Sequence, residues 1–425
     1  MARNNRDPRV EAGNPLLRFF TGGVLPRTFA AFHSRNYRLY WFGNAVSLVG
    51  TWMQNVARGW VVLQLTNSPL LVGLETSITW LPALFISLPA GVIADRYNKR
   101  NLMVITQALL AVLALALAVL YWAGMLRIGH ILVISALTGV IIAFNSPVRL
   151  AIVSELVDRK LVLNAVALNS AVFNAARIIG PSIAGVALGT IGAGGCFAIN
   201  SVSFLGIIIA LAFVRIEHVP PAPTGESVWQ RIAGGLRFVG RHPDIRVLMV
   251  MIAVFSSFGI VYLPLMPVFA RDVFGAGPGG YGLMMASLGV GALAGVLVLA
   301  TISHTRHRGR ILIAGTTLLG LFLVVFGLVR EFRAGMLVLV ALGFCQSSVA
   351  SLTNSIIQEL APQEFRGRVM SVFALSFNGI YPFGSFLAGA IAQRFGAPVS
   401  ALVGGCVVLV SLVVVNLVHP GIRRL

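Results

Sequence analysis

The chain has 425 residues, of which 57% are hydrophobic and only 11% are charged, and its mean hydropathy is +0.88. A soluble fold of this length cannot hide so much apolar surface, so the composition excludes a water-soluble globular protein and indicates an integral membrane protein. The formal net charge of +19 would also suit a nucleic-acid-binding protein, and only the positions of the charges can decide between the two.

Twelve apolar runs follow one another along the chain, each long enough to cross a bilayer as a helix. They are 40–65, 70–94, 101–123, 130–147, 163–190, 195–213, 247–269, 281–302, 311–329, 334–357, 369–395 and 398–418. Strands of a membrane barrel are about ten residues long and alternate in polarity, whereas these runs are longer and continuously apolar. We therefore predict an all-α integral membrane fold of twelve transmembrane helices.

The basic residues are distributed unevenly between the connections. With both termini placed in the cytoplasm, 25 of the 32 Lys and Arg residues fall in the termini and even-numbered connections, and five fall in the odd-numbered ones. This bias is typical of multi-pass proteins of the plasma or inner membrane. The basic residues are therefore expected to contact anionic lipid heads, and no nucleic-acid partner is expected. The first 38 residues carry seven Arg and no apolar core, so no cleavable signal peptide is expected.

Residues about 204 positions apart match across two otherwise diverged halves. The matched pairs include Gly91 with Gly295, Glu155 with Glu359, Asn174 with Asn378, Gly180 with Gly384 and Gly185 with Gly389. A constant offset indicates a duplication, and duplicated halves in a membrane are typical of transporters. The predicted organisation is an N-terminal segment (1–38), a six-helix bundle (39–213), a cytoplasmic linker (214–246), a pseudo-symmetric six-helix bundle (247–418) and a tail (419–425).

The linker begins with a Pro-rich stretch, Val219–Thr224, and a helix is predicted from Ser227. Its apolar residues at Trp229, Ile232, Leu236 and Val239 share one face. That pattern predicts an amphipathic helix at the cytoplasmic interface, which would tether the two bundles. Gly234 and Gly235 weaken a helix, so a solvated linker is the alternative.

The second connection reads Gly91-Val-Ile-Ala-Asp95-Arg96-Tyr-Asn98-Lys99-Arg100. It resembles the signature loop of the major facilitator superfamily, which latches the two halves in one state of an alternating-access cycle. The resemblance implies a latch formed by Gly91, Asp95, Arg96, Lys99 and Arg100, and the alternative is an ordinary basic loop. The family often has Gly where Asn98 stands, and Asn tolerates the left-handed backbone of such a turn. In the second half Leu299 replaces Asp95, so the latch is expected to be one-sided.

Longer stretches resemble one branch of that superfamily, which contains enterobactin exporters and macrolide efflux proteins. The stretches are Asn145–Arg149, Glu155–Arg159, Arg177–Gly185, Gln358–Pro362 and Arg366–Met370. The branch implies a proton-coupled exporter of a small hydrophobic or amphipathic molecule, such as a drug, a siderophore or a lipid-like compound. The resemblance implies that the proton gradient drives transport and that no cofactor is needed.

Small residues and proline in two spans mark a candidate pivot, formed by Gly180, Pro181, Gly185, Gly384 and Gly389. Proline frees a backbone carbonyl and bends a helix, while glycine permits tight packing against a neighbour. A pivot for rocking halves and a static kink are equally consistent with this pattern.

Charged side chains inside a bilayer are costly and therefore mark functional candidates, and three stand well inside the spans: Arg58, Glu75 and Arg177. The span directions put Arg58 and Glu75 at similar depth, so we predict an ion pair. The pair is either a fixed structural element or a coupling site at which Glu75 takes up a proton once the pair breaks. Arg177 could neutralise an anionic substrate group, hold a carbonyl network or couple to Glu75.

Polar residues near these charges complete the predicted cavity set, namely Gln54, Asn55, Asn174 and Asn378. Each could equally form a hydrogen bond between helices. Charged residues at the cytoplasmic ends of spans 4 and 10 and in the connections that follow predict an inner gate of ion pairs, with a solvated charged rim as the alternative. They are Glu155, Asp158, Arg159, Glu359, Glu364, Arg366 and Arg368.

The leading prediction is thus a monomeric secondary active transporter that binds a small-molecule substrate and membrane lipids. An uptake permease or a facilitator on the same fold is the alternative. A membrane-embedded enzyme is a remote one, because all seven histidines fall near span ends or in connections. No metal site is expected from the three separated cysteines, Cys196, Cys345 and Cys406. No ATP-binding loop of the Gly-x-x-x-x-Gly-Lys-Ser/Thr type occurs in the sequence.

Overall fold

The computed structural model describes residues 29–214, 228–302 and 307–424, and nearly all of them are helical. The first half contains α1 (Arg35–Thr66), α2 (Pro69–Arg96), α3 (Lys99–Trp122), α4 (Ile128–Glu155), α5 (Val162–Thr190) and α6 (Gly192–Ala212). The second contains α7 (Val228–Arg241), α8 (Pro243–Val254), α9 (Met266–Val268), α10 (Pro278–Ile302), α11 (Arg308–Leu328), α12 (Phe332–Leu360), α13 (Gln363–Ala374), α14 (Tyr381–Phe395) and α15 (Ala397–Val418). Most of the predicted N-terminal segment lies outside the described residues.

These helices form the twelve predicted spans, six in each half. Ten spans within the described residues are long and apolar enough to cross a membrane by themselves. Of the other two, α1 is long enough but carries Asn44, Gln54, Asn55 and Arg58, and span 7 is interrupted. Span 7 consists of α8 and α9, and span 11 consists of α13 and α14. The predicted all-α fold with twelve spans in two halves is therefore confirmed.

The backbone of span 7 differs from the single helix predicted over 247–269. Wide π turns cover Phe255–Gly259 and Phe269–Val273, and the backbone between Ile260 and Leu265 is not helical. Pro264 and Pro267 explain the interruption, since each lacks an amide hydrogen and its ring clashes with a carbonyl one turn earlier. Irregular backbone at membrane depth is tolerated where protein surrounds it, and Tyr262 in this segment is fully buried.

Asparagine side chains define two helix ends near the first connections. Asn98 has φ −62° and its side chain accepts a hydrogen bond from the backbone three residues later, at 3.2 Å. The left-handed conformation expected for Asn98 is therefore wrong, because this residue caps the start of α3. Asn67 does adopt that conformation, with φ 48°, at the end of α1.

Glu331 caps the start of α12. The backbone amides of Ala334 and Arg333 donate hydrogen bonds to its carboxylate, and these bonds lower the pKa of the carboxyl.

Helix α7 occupies the linker and packs against α13. Phe238 stacks on Phe365 with ring centroids 4.7 Å apart, and a methyl group added at Gly235 would lie 2.6 Å from a backbone oxygen of α13. Leu236 is 51% exposed, and Gly235 lies on the face of α7 that packs against α13. The glycine expected to weaken the helix thus permits its close approach. The side chains of Trp229 and Ile232 and the Pro-rich stretch lie outside the described residues.

Candidate functional site

The two halves touch through glycines on four helices. Helix α5 meets α10 where Gly185 faces Gly279 and Gly282, and α2 meets α14 where Gly73 faces Gly389. A methyl group added at Gly185 would lie 3.0 Å from the Gly282 Cα, and one at Gly389 would lie 2.8 Å from a carbonyl oxygen of α2. The backbones of opposite halves are therefore in direct contact. We name these five glycines the glycine seam, and the end of the molecule where they lie the seam end.

The other predicted pivot residues lie inside their own halves. A methyl group added at Gly180 would lie 2.6 Å from the Cβ of Trp52 in α1, and one at Gly384 would lie 2.5 Å from the carbonyl oxygen of Ser257 in span 7. Helix α5 continues through Pro181 without interruption. The repeated glycines thus have repeated roles, one packing within each half and one packing across the seam. Their use as a pivot stays a prediction.

Polar contacts join the halves beyond the glycines. The guanidinium of Arg271 donates to the Asn67 Oδ1 at 2.7 Å and to the carbonyl oxygen of Leu63 at 3.3 Å, so the second half caps the last turn of α1. The Gln393 Oε1 accepts from the hydroxyl of Ser68 at 2.7 Å. We name Asn67, Ser68, Arg271 and Gln393 the polar clamp. Sequence reasoning missed it, because polar residues are ordinary in short connections and at helix ends.

Arg58 and Glu75 form the ion pair predicted from the span directions. The Arg58 Nε lies 2.6 Å from the Glu75 Oε1, and the side chains are 6% and 5% exposed. The same carboxylate oxygen accepts from the hydroxyls of Ser135 at 2.8 Å and Thr79 at 3.0 Å. The Arg58 Nη2 donates to the Asn55 Oδ1 at 3.4 Å, while Nη1 is buried without a hydrogen-bond partner among the described residues. The carboxylate is therefore better satisfied than the guanidinium.

Residues of the second half surround this ion pair. Tyr281 of α10 stacks on Trp60 with centroids 6.0 Å apart, and Tyr381 of α14 meets the edge of Trp80 at 6.1 Å. Both tyrosines lie close enough to Glu75 to interact with it electrostatically. Separation of the halves along α10 and α14 would therefore change the surroundings of the ion pair.

A cavity of about 540 Å³ lies between the halves, towards the end of the molecule that carries Lys99. Two of the predicted cavity residues, Asn174 and Arg177, are part of its wall, whereas Arg149 and Gln346 are further wall residues that sequence reasoning did not assign. Arg149 had been counted among the cytoplasmic charges, and it lies six residues before the end of α4. The volume suits a drug-sized ligand.

The remaining predicted cavity residues lie elsewhere. Arg58 and Glu75 are buried between helices, and the Gln54 Oε1 accepts from the Asn200 side chain of α6 at 2.7 Å. The prediction that these three residues line the cavity is therefore corrected. Their side chains are enclosed by packing between helices. Asn55 and Asn378 are exposed, and neither belongs to the cavity wall within the described part of the chain.

The predicted inner gate is not assembled between the halves in the described residues. Lys99 pairs with Glu155 inside the first half, and Arg308 pairs with Glu359 inside the second. The guanidinium of Arg100 donates to the carbonyl oxygen of Leu211 at 2.6 Å, again within the first half.

Two other gate residues, Arg366 and Arg368, have contacts within the second half. The Arg366 Nε donates to the Gln358 carbonyl oxygen at 3.1 Å, and the Arg368 guanidinium lies over the Phe365 ring, both within the second half. Asp158, Arg159 and Glu364 are exposed. Gly91, Asp95 and Arg96 belong to α2, and their side chains lie outside the described residues. The two ion pairs described for gate and latch residues, Lys99 with Glu155 and Arg308 with Glu359, thus lie within one half each, and an inner gate between the halves stays a prediction. The same part of the chain holds no group of three or more His, Cys, Asp or Glu residues suited to a metal ion.

A twelve-span fold of two six-helix halves around an internal cavity defines a transporter of the major facilitator superfamily. The fold matches a solved nucleoside transporter, NupG, with a TM-score of 0.74 over 90% of this chain and 99% of that one, at 10% identity. The chain belongs to the family described as transmembrane secretion effector, whose model matches residues 26–420. The protein is therefore a multi-pass membrane transporter of small molecules and not a member of an enzyme family.

Two curated relatives are similar over most of their length. The chain is 26% identical to the staphyloferrin A transporter of Staphylococcus aureus, over 84% of this chain and 90% of the relative. It is 27% identical to the multidrug efflux pump Tap of Mycolicibacterium fortuitum, over 83% and 87% respectively. The resemblance to an exporter branch of the superfamily is thereby confirmed.

Proposed function

We propose that the protein exports small hydrophobic or amphipathic molecules, such as drugs or siderophores, across the plasma membrane by alternating access driven by protons. The relatives named as an efflux pump and a siderophore transporter support this substrate range. The basic residues of the even-numbered connections support cytoplasmic termini. In that orientation the seam end faces outwards and the cavity lies towards the cytoplasm, so the structure corresponds to a state that takes up substrate from inside.

The observation that carries the proton coupling is the buried ion pair of Arg58 and Glu75 beside the contact between the halves. While the seam end is closed, the Glu75 carboxylate contacts Arg58 and accepts hydrogen bonds from the hydroxyls of Ser135 and Thr79. When the halves separate at this end, water and protons from outside reach the carboxylate. Protonation would remove its attraction to Arg58, and the neutral carboxyl would carry the proton into the state in which the seam end is closed. Release of the proton towards the cytoplasm would then restore the ion pair.

The test is transport in inverted vesicles that contain the intact protein or Glu75→Gln, with a panel of lipophilic dyes and siderophores and an imposed pH gradient. We expect the intact protein to dissipate the gradient when substrate is added, and Glu75→Gln to lose proton movement at least tenfold. Glu331→Gln is the matched control, because Glu331 lies outside the spans and only caps α12. Substrate movement by the intact protein without any change of the gradient contradicts proton coupling.

Direction is tested separately in whole cells. Export predicts that cells with the protein accumulate less of a transported dye than cells without it, and that collapse of the proton gradient removes the difference. Higher accumulation in cells with the protein would favour an uptake permease instead.

A further inference from the structure

The cavity wall contains two arginines and no acidic residue among the described residues that form it. Arg149 comes from α4 and Arg177 from α5. The guanidinium of Arg149 lies over the ring of Phe173, 6.0 Å from its centroid, and Arg177 follows Phe173 by four residues on the same face of α5. The two cations and the ring therefore form one continuous strip of the wall.

Neither arginine has a counter-ion among the described residues of the chain. Within the described part of the chain, Arg177 forms no ion pair or hydrogen bond, and Arg149 contacts a ring rather than a carboxylate. Charged groups at membrane depth are rare and normally pair with one another or face a water-filled cavity. By contrast, Arg58 in the same half has Glu75 as its partner. The positive charges of Arg149 and Arg177 are therefore not neutralised by a described carboxylate, unlike the charge of Arg58.

A third donor lies on the opposite half. The hydroxyl of Tyr262 donates to the Gln346 Oε1 at 2.6 Å, which leaves the amide nitrogen of Gln346 as a donor at the cavity wall. Tyr262 also lies close enough to Arg177 for an electrostatic interaction. Hydrogen-bond donors from both halves thus meet on one side of the cavity.

The second half also contributes two aromatic side chains to the wall. Phe255 and Phe377 stack with ring centroids 6.1 Å apart, and both line the cavity. A ligand that spans the cavity would meet positive charge at one end and flat apolar surface at the other. The two arginines disfavour a cationic ligand, and the two rings offer a contact surface for an apolar group.

We propose that the substrate is an amphipathic organic anion, whose carboxylate or other oxyanion binds Arg149 and Arg177 and whose apolar part lies against Phe255 and Phe377. The proposal rests on the proposed function, because it takes the cavity as the transport site. A planar guanidinium matches an oxyanion with two parallel hydrogen bonds, which explains the use of arginine at both positions. Binding from both halves would also favour closure of the cavity around an anionic ligand.

The test is equilibrium binding to the intact purified protein in uncharged detergent, with 1-pyrenebutyric acid and its amide as fluorescent probes. The two probes share the apolar part and differ in the charge. We expect the acid to bind at least tenfold more tightly than the amide. Arg177→Gln and Arg149→Gln should each weaken acid binding about tenfold and leave amide binding unchanged. Arg177→Lys should retain only part of the preference, because it keeps the charge and loses the two parallel hydrogen bonds. Arg330→Gln, an exposed arginine in a short connection, is the matched control.

Equal binding of acid and amide, or no binding of the acid, overturns the proposal. Unchanged acid binding by the double variant Arg149→Gln/Arg177→Gln also overturns it. If a glutamine variant fails to give a single peak on size exclusion, the comparison of acid and amide on the unchanged protein still decides. Displacement of the acid by phosphatidylglycerol rather than by soluble carboxylates would assign the anion to a lipid headgroup at the same two arginines.

Binding is measured without a gradient, so it is independent of proton coupling. Loss of acid preference would leave the proposed export standing, and transport without proton movement would leave the anion site standing.

Discussion

The six spans of the first half are continuous helices, whereas π turns interrupt spans 7 and 11 of the second half. Buried charged side chains show the opposite distribution, since the three in the described residues, Arg58, Glu75 and Lys99, all belong to the first half. The two halves therefore share their helix packing but differ in two other features. One copy carries the charges, and the other carries the irregular backbone.

The positions 204 residues apart allow the two halves to be compared residue by residue. The counterparts of Arg58 and Arg177 are Tyr262 and Tyr381, and each tyrosine lies near a charged residue of the first half. Tyr262 lies near Arg177, and Tyr381 lies near Glu75. Tyrosine supplies a long polar side chain without a charge at each symmetric position. At Tyr262 this leaves Arg177 without a second cation beside it.

The largest test of this asymmetry removes one partner of the ion pair. Arg58→Met leaves Glu75 buried without its cation, and we expect a loss of about 3–5 kcal/mol in the free energy of unfolding. The double variant Arg58→Met/Glu75→Leu should recover most of that loss, because no unpaired charge remains. Unfolding measured in bicelles gives both values, with Arg330→Met as the exposed control. Equal losses in the single and double variants would show that the pair is not a coupled unit.

A smaller effect is expected where both halves are alike, at the glycine seam. Gly185→Val places a side chain against the backbone of α10, and we expect a cost of about 1–3 kcal/mol to the closed seam end. On the same helix, Gly189 has open space around it, so Gly189→Ala should be neutral or stabilise the protein by up to about 1 kcal/mol. Thermal unfolding in detergent measures both. Similar melting temperatures for the two variants would argue against tight backbone contact at the seam.

The smallest expected effect is at the polar clamp, which is partly exposed. Arg271→Ala removes two hydrogen bonds between the halves, worth about 1 kcal/mol together, and about a fivefold shift towards an open seam end should follow. Spin labels at Gly189→Cys and Gly277→Cys lie on either side of the α5 and α10 contact, in open space, and Cys406→Ser removes the exposed native thiol. Pulsed distance measurements should show a larger long-distance population in Arg271→Ala. Arg330→Ala is the control and should leave the distance distribution unchanged. The same unchanged distribution in Arg271→Ala would show that the polar clamp does not help to hold the seam end closed.

Much of the fold could be predicted from the sequence because bilayer thickness fixes the length of an apolar helix. The ion pair of Arg58 and Glu75 could also be predicted, since the directions of two adjacent spans fix the relative depth of their residues. The break in span 7 was available in principle from Pro264 and Pro267, but the surrounding residues are so apolar that hydropathy alone joins the two pieces.

The cavity wall was less accessible to sequence reasoning. Arg149 lies near a helix end, where a basic residue is ordinary, and only the rotation of α4 directs it inwards. Gln346 lies in an apolar span and receives its partner Tyr262 from the non-helical part of span 7. Such pairings depend on how helices from different parts of the chain face one another, which no local pattern specifies.

The glycine seam has a consequence for the thermodynamics of the transport cycle. Glycine has no side chain to immobilise, so closing a contact of backbone against backbone costs almost no rotamer entropy, and opening it releases almost none. Side-chain entropy at the seam therefore adds little to the free-energy difference between the closed and open states, which helps to keep that difference small. A small difference of this kind is what allows one proton or one bound molecule to reverse the populations.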